Sequence, residues 1–492
     1  MLFNSYAFLF LFLPITFVLF SLLQLSYKRS TTIQFLFVIS IIFYGYWNFY
    51  YLPLLLISIL FNFFISLLME RINKKFFYAG LVGNLSLLIY FKYSQFLLAN
   101  LYLLLNQPLQ LINGDLPLGI SFFTFTQIAY LTDCYRKQIK VPHFVNYGLF
   151  VTFFPHLMAG PILHHQEIMP QFENRRKKLI SWENCAIGMT IFSIGLFKKV
   201  IIADSLAPYA NTVFSAASKE SITFVEAWCG SISYSFQLYF DFSGYSDMAI
   251  GLARLFGIIF PLNFNSPYKA PNIITFWRRW HMTLSRFLRD YVYIPLGGNR
   301  KGKINRYINL MITMIIGGIW HGAGWTFAIW GLLHGFYLVI NHLWLQLKTH
   351  YFQFCSIKKC IGNAFAQIIT FLAVMIAWIF FRAETFTTSS HIFTALFQNV
   401  SLSSSLFNLE QLQHLFALLF ITGLIVFLGP NTQQLLYKYN PALETYPGEI
   451  EPYLIKKLYW APNAFTAAVC AILTLLSLLS LGHISEFLYY KF

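Results

Sequence analysis

Long apolar runs separated by short polar breaks set the pattern of this chain. A membrane-spanning helix needs about 20 predominantly apolar residues, and the runs predict such helices near 7–26, 32–49, 51–69, 77–98, 117–134, 184–204, 223–241, 307–323, 325–346, 363–381, 413–429 and 464–482. Two further apolar stretches are not clean spans: 144–163 contains Pro155, His156 and Pro161, and 242–262 contains Asp247 and Arg254. Broken or polar backbone at membrane depth survives only when it is buried in protein or lines a cavity. Both stretches are therefore expected to be re-entrant or interfacial pieces. The predicted class is an all-α integral membrane protein of about 12 transmembrane helices with added re-entrant or interfacial helices, in one domain covering 1–492. No internal repeat is evident, and the Ser-rich stretch Ser401 to Ser405 is the single low-complexity tract.

Composition agrees with that pattern, since 57% of the 492 residues are hydrophobic and 11% are charged, against roughly 25% charged in soluble domains. The stretch from Ala7 to Leu23 has the apolar core of a signal peptide, but no Lys or Arg precedes it and Lys28 and Arg29 follow it. That charge order predicts a first membrane anchor with its N-terminus outside. Positive residues gather at Lys28/Arg29, Arg71/Lys74/Lys75, Arg136/Lys137/Lys140, Arg175-Arg176-Lys177-Lys178, Arg278 to Arg306, Lys358/Lys359 and Lys456/Lys457, which the positive-inside rule puts in the cytoplasm. The segments Tyr93 to Tyr135 and Ala383 to Tyr437 lack Lys and Arg and fall outside, as do both termini. Lys198, Lys199 and Arg382 fit this alternation less well.

A net charge of +16 would suggest nucleic-acid binding in a soluble protein. Here the cations flank apolar spans and fit anionic lipid headgroups instead, so membrane lipids and no nucleic acid are the expected partners. The cysteines Cys134, Cys185, Cys229, Cys355, Cys360 and Cys470 form no C-x-x-C pair, and neither a disulfide framework nor a metal site is expected. Signatures of nucleotide hydrolysis, zinc proteolysis and nucleophile-elbow esterases are missing.

Ionisable groups inside apolar spans are costly and hence candidates for function. His321 leads, lying in Gly317-Gly318-Ile319-Trp320-His321-Gly322-Ala323-Gly324-Trp325 between two apolar runs. The glycines would allow close backbone approach, and Trp320 and Trp325 could wall a pocket. Position alone leaves two readings open, a histidine satisfied by a neighbouring helix or a neutral general base for a hydroxyl. His334, thirteen residues on, is expected to be structural, because a straight helix rotates about 220° over that distance.

The segment Ser266 to Arg306 has the character of a cytoplasmic platform. Within it, helical spacing would align Arg278, His281, Ser285 and Arg289 on one face, with Arg279 and Arg286 on another. Such forks suit phosphate or pyrophosphate, although a plain positive-inside loop explains them too. Asp241 and Asp247 are expected to be structural carboxylates paired with an Arg of the platform.

Taken in order, the motifs Leu116 to Phe125, Phe154-Pro155-His156 with Gly160-Pro161-Ile162, Tyr239 to Asp247, Phe276 to Tyr291 with Ile294 to Asn299, Trp320-His321-Gly322 and Trp378 to Ala383 resemble the membrane-bound O-acyltransferase family. The likeness is to its bacterial branch of alginate O-acetylation and teichoic acid D-alanyl transfer proteins. It implies a ring of helices around a transmembrane tunnel in the bacterial plasma (inner) membrane, with His321 as the essential histidine and His281 as a second catalytic candidate. It further implies that Arg278, Arg279, Arg286 and Arg289 bind the donor, a cytoplasmic thioester such as acetyl-CoA, with no bound cofactor. Chain length favours the alginate-type branch, hence an extracytoplasmic polysaccharide acceptor and a separate extracytoplasmic SGNH-type acyltransferase as partner. D-alanyl transfer from a carrier protein is the alternative within the family, and a proton-coupled transporter using His321, Asp241 and Asp247 is the alternative outside it.

Overall fold

A computed structural model of the chain describes residues 1–26, 28–106, 116–174, 180–300, 302–351, 359–398, 400, 403–483 and 487–488. The basic run Arg175-Arg176-Lys177-Lys178, together with Cys355, Lys358 and the first residues of the Ser-rich stretch, Ser401 and Leu402, lies outside the described residues. Among the described residues the regular structure is helical, with one isolated β-bridge between Pro261 and Leu443. In chain order the main helices are α1 (Ala7–Leu25), α2 (Arg29–Trp47), α3 (Phe49–Arg71), α4 (Phe76–Leu105), α5 (Ile120–Tyr135), α6 (Phe144–Thr152), α7 (His165–Glu173), α8 (Trp182–Ala217), α9 (Phe224–Leu255), α10 (Ile273–Trp277), α11 (Met282–Leu288), α12 (Lys303–His321), α13 (Trp325–Lys348), α14 (Gly362–Arg382), α15 (Phe386–Phe397), α16 (Leu409–Phe427) and α17 (Ala464–Leu479).

Eight of these, α1 to α4, α8, α13, α14 and α16, are long and apolar enough to cross a membrane. The chain is a multi-pass membrane protein. The other four runs expected to span are also helical, but α5 and α17 have 16 residues each, α12 carries polar residues at its start, and α9 is 32 residues long.

That length corrects one expectation. The stretch 242–262 is not a separate re-entrant piece, because α9 runs unbroken from its Thr223/Glu226 capping box to Leu255. The two charges that argued against a span are satisfied inside the protein: Asp247 meets Lys198 at 2.6 Å, and Arg254 donates to the carbonyls of Tyr439 and Asn440. The stretch 144–163 is broken as expected, into α6, a short turn over Phe154–Leu157 and extended chain, and it is buried.

Glycines bring α8 and α9 into backbone contact. A Cβ at Gly195 would lie 2.6 Å from the Gly244 carbonyl oxygen, and one at Gly188 would lie 2.8 Å from that of Gly251. Small residues are what membrane helices use for such approach. Within α8, a π-helical turn over Lys198–Ala203 directs two consecutive lysines at α9. Lys198 pairs with Asp247, and Lys199 pairs with Asp241 at 2.7 Å and Asp204 at 2.8 Å. The expected Arg partners of Asp241 and Asp247 are therefore lysines of α8, which also explains why Lys198 and Lys199 fit a cytoplasmic flank poorly. A second glycine contact joins α12 to α13, where a Cβ at Gly318 would lie 2.3 Å from the Phe327 carbonyl oxygen. It folds the chain into a tight hairpin at Gly322-Ala323-Gly324 and leaves His321 as the last residue of α12.

Candidate active site

His321 sits at that hairpin with 3% of its surface exposed. Aromatic rings wall it: Trp320 at 4.7 Å, Trp330 of α13 at 5.1 Å and Phe381 of α14 at 5.1 Å between centroids. The expected second wall, Trp325, is instead 58% exposed and donates to the Asn100 side chain. The hairpin turns it outward and brings Trp330, further along α13, inward. Phe125 of α5 stacks on Trp320 at 4.9 Å, so α5, α12, α13 and α14 together form the surroundings of the imidazole.

His281 is brought beside it, 6.5 Å away between ring centroids and fully buried. The single helical face expected for Arg278, His281, Ser285 and Arg289 does not form. His281 adopts a left-handed backbone at φ 41° and starts α11, so the helix breaks between Trp277 and Met282. A non-glycine residue there is strained, and neighbouring bonds hold it: the Met282 N–H donates to the Asn263 carbonyl, and the Thr283 hydroxyl to the Asn263 side-chain oxygen. That same oxygen faces His281 Nδ1 at 3.1 Å, while the Asn263 amide donates to Ser246. An acceptor opposite Nδ1 assigns the proton to Nδ1 and makes Nε2 the basic nitrogen.

His334 accepts from Trp277 Nε1 through Nδ1 and meets Trp330 edge-on at 4.8 Å, the ring that separates it from His321.

The four arginines expected to bind the donor all line one cavity of about 800 Å³, with Arg306 and Tyr446. They divide by partner. Arg286 is bidentate to Glu167 of α7 at 2.6 and 2.8 Å, and Arg289 is bidentate to Asp290 at 2.7 and 3.0 Å. Among the described residues Arg278 and Arg279 have no carboxylate within ion-pair distance. Glu449 lines the cavity as well, and burial pushes its carboxyl above the ordinary range against the lowering pull of the Thr445 N–H. The inner wall is apolar and includes Trp277 and Met282. Neither histidine lines the cavity, yet Met282 follows His281, and Trp277 contacts Trp330 at 5.8 Å, the ring that abuts His321.

Lys92 completes the surroundings. Its ammonium donates to the Trp320 carbonyl at 2.6 Å and lies 5.7 Å from the centre of the Trp320 ring. It is the sole charge in the run 77–98, a signal that marks it in the sequence. Asn263 and Glu167 carry no comparable mark.

A membrane-bound O-acyltransferase family model matches residues 3–381. The chain belongs to the membrane-bound O-acyltransferase family. It is 47% identical to a peptidoglycan O-acetyltransferase of Helicobacter pylori, over 78% of this chain and 77% of that protein. It is 36% identical to the probable alginate O-acetylase AlgI of Pseudomonas putida over the whole of both. A teichoic acid D-alanyltransferase of Streptococcus thermophilus is 30% identical over 47% of this chain and 58% of its own length. The matched range includes His281, His321 and the cavity arginines, and stops just short of Arg382.

Proposed function

We propose that this chain passes an acetyl group from a cytoplasmic thioester, acetyl-CoA, through the membrane for O-acetylation of an extracytoplasmic polysaccharide. The observation that carries the reading is the pair of buried histidines, His281 and His321, 6.5 Å apart, with Trp277 and Trp330 between His321 and a cavity lined by five arginines. Arg278 and Arg279 take the donor's phosphates at the cytoplasmic mouth, in a planar fork suited to pyrophosphate. The thioester extends past Trp277 along a tunnel ringed by the helices. At its end the acceptor hydroxyl oxygen attacks the thioester carbon while His321 takes the hydroxyl proton. The C–S bond then breaks, and the thiolate recovers that proton from the imidazolium. His281, with Nε2 basic, is the second proton acceptor in reach.

Identity to the Helicobacter and Pseudomonas proteins supports acetyl as the group and a cell-envelope glycan as the destination. Alginate and peptidoglycan are both acceptors of this kind, and a separate SGNH-type acyltransferase outside the membrane would complete the transfer. This arrangement has the platform inside and both termini outside the plasma membrane.

Membrane vesicles loaded with acetyl-labelled acetyl-CoA test the reading. Base-labile label is expected to appear outside, and His321→Ala to lower its rate by at least about 10²–10⁴, the usual worth of a general base. Retained turnover in a normally expressed His321→Ala protein would sink the assignment. A basic cavity also suits an acidic carrier protein, and transfer from a carrier-bound thioester with none from acetyl-CoA would favour that donor.

A further inference from the structure

Lys92 lies near the middle of α4, where the helix widens into a π-helical turn over Ile89–Tyr93. Such widenings re-aim side chains and recur at functional sites. This one sends two neighbours to the end of α12: Tyr93 donates to the Ile319 carbonyl at 2.9 Å, and Lys92 to the Trp320 carbonyl at 2.6 Å. Those carbonyls belong to the last turn of α12, which has no further helical N–H to offer them. Lys92 also donates to Ser121 of α5 at 3.3 Å. Helix capping alone would account for these bonds.

Charge is what capping leaves unexplained. An amide or a hydroxyl would serve a carbonyl equally well without placing an ion at membrane depth. Lys198 and Lys199, the comparable cations of α8, are each paired with carboxylates. Lys92 has no carboxylate within ion-pair distance among the described residues, and its two hydrogen bonds there use two of its three donors. The uncompensated charge sits against the residue that precedes His321.

We propose that Lys92 is a positioning residue for acyl transfer, holding the Trp320–His321 turn by its carbonyl bond and supplying positive charge to the oxyanion that forms beside His321. The inference rests on the acyl-transfer reading of that site. When the acceptor oxygen attacks, the thioester carbonyl pair moves onto its oxygen, and a fixed cation in a dry surrounding stabilises that charge more than it stabilises the neutral substrate.

Four variants of the full chain in lipid nanodiscs, assayed by thiol release from acetyl-CoA with an alginate oligosaccharide supplied as the hydroxyl acceptor, test this. Lys92→Gln keeps a donor for the Trp320 carbonyl and removes the charge. Its kcat is expected to fall by about 10²-fold, as for loss of one oxyanion donor, with the KM for acetyl-CoA unchanged. Lys92→Met is the second neutral variant, for use should the Gln protein not fold, and is expected to lose at least as much. Lys92→Arg retains the charge and is expected to keep most of the turnover. Wild-type kcat in either neutral variant, or an equal loss in the Arg and neutral variants, overturns the proposal and leaves Lys92 as a helix cap. His321→Ala runs alongside: if it stays active, the acyl-transfer reading falls and takes this inference with it, whereas an inactive His321→Ala beside a fully active Lys92→Gln overturns the inference alone.

Discussion

At the scale of single residues, the cavity separates arginines that hold the protein together from arginines available to a ligand. Arg286 and Arg289 are engaged by Glu167 and Asp290, while Arg278 and Arg279 face the cavity without a carboxylate partner among the described residues. Arg278→Ala and Arg279→Ala are each expected to raise the KM for acetyl-CoA about tenfold or more, the worth of a hydrogen bond to a charged group, with little change in kcat. Arg286→Ala is expected to act differently, stranding Glu167 and lowering thermal stability. Initial-rate kinetics and melting curves on the same preparations distinguish the two. An unchanged KM in both Arg278→Ala and Arg279→Ala would remove them from the donor site. The burial of His321 among aromatics and the gathering of the four arginines were legible in the sequence, because a lone ionisable group in an apolar run and a basic run among aromatics are local signals. Asn263 was not, since an asparagine acquires meaning only from the histidine and threonine that converge on it.

At the scale of elements, α8 and α9 depend on a match between glycines and ion pairs. Lys199 bonds Asp204 in its own helix and Asp241 across the contact, with side chains 3% and 1% exposed for the cross-helix pair. Removing Lys199 would leave both carboxylates without their cation, and breaking a buried pair in this way costs about 3–5 kcal/mol. Lys199→Met is therefore expected to lower the melting temperature of the protein in nanodiscs sharply. A second change of Asp241→Asn should restore part of it, and equal melting of Lys199→Met and wild type would show that the cluster is immaterial to stability. Twelve apolar runs all fell on helices, because length and hydropathy are local properties. The join of 223–241 to 242–255 was hidden, since Asp247 and Arg254 are tolerated only beside partners far away in the chain. The break at His281 was hidden too: helical spacing continues through Trp280, and only the bonds to Asn263 stabilise the left-handed turn.

At the scale of the whole molecule, the proposed orientation rests on the charge pattern, and impermeant thiol labels can test it. With the six native cysteines replaced by serine, a cysteine at Lys74, which is exposed just after α3, should resist an impermeant maleimide in intact cells. One at Asn408, exposed at the start of α16, should react. The reverse pattern would invert the membrane and, with it, the side from which a donor reaches the arginine cavity.

The π-helical turn in α4 also limits how the chain can change in length. A helix that has absorbed one extra residue can release it only by rotating everything on one side by about 100°. A single-residue deletion within α4 is thus no trimming of a lipid-facing spacer: it would return Ile89–Tyr93 to regular winding and swing Lys92 and Tyr93 away from the Trp320 and Ile319 carbonyls. Insertions and deletions tolerated in this lineage should accordingly collect in the loops around α4, leaving the spacing from Phe76 to Lys92 intact.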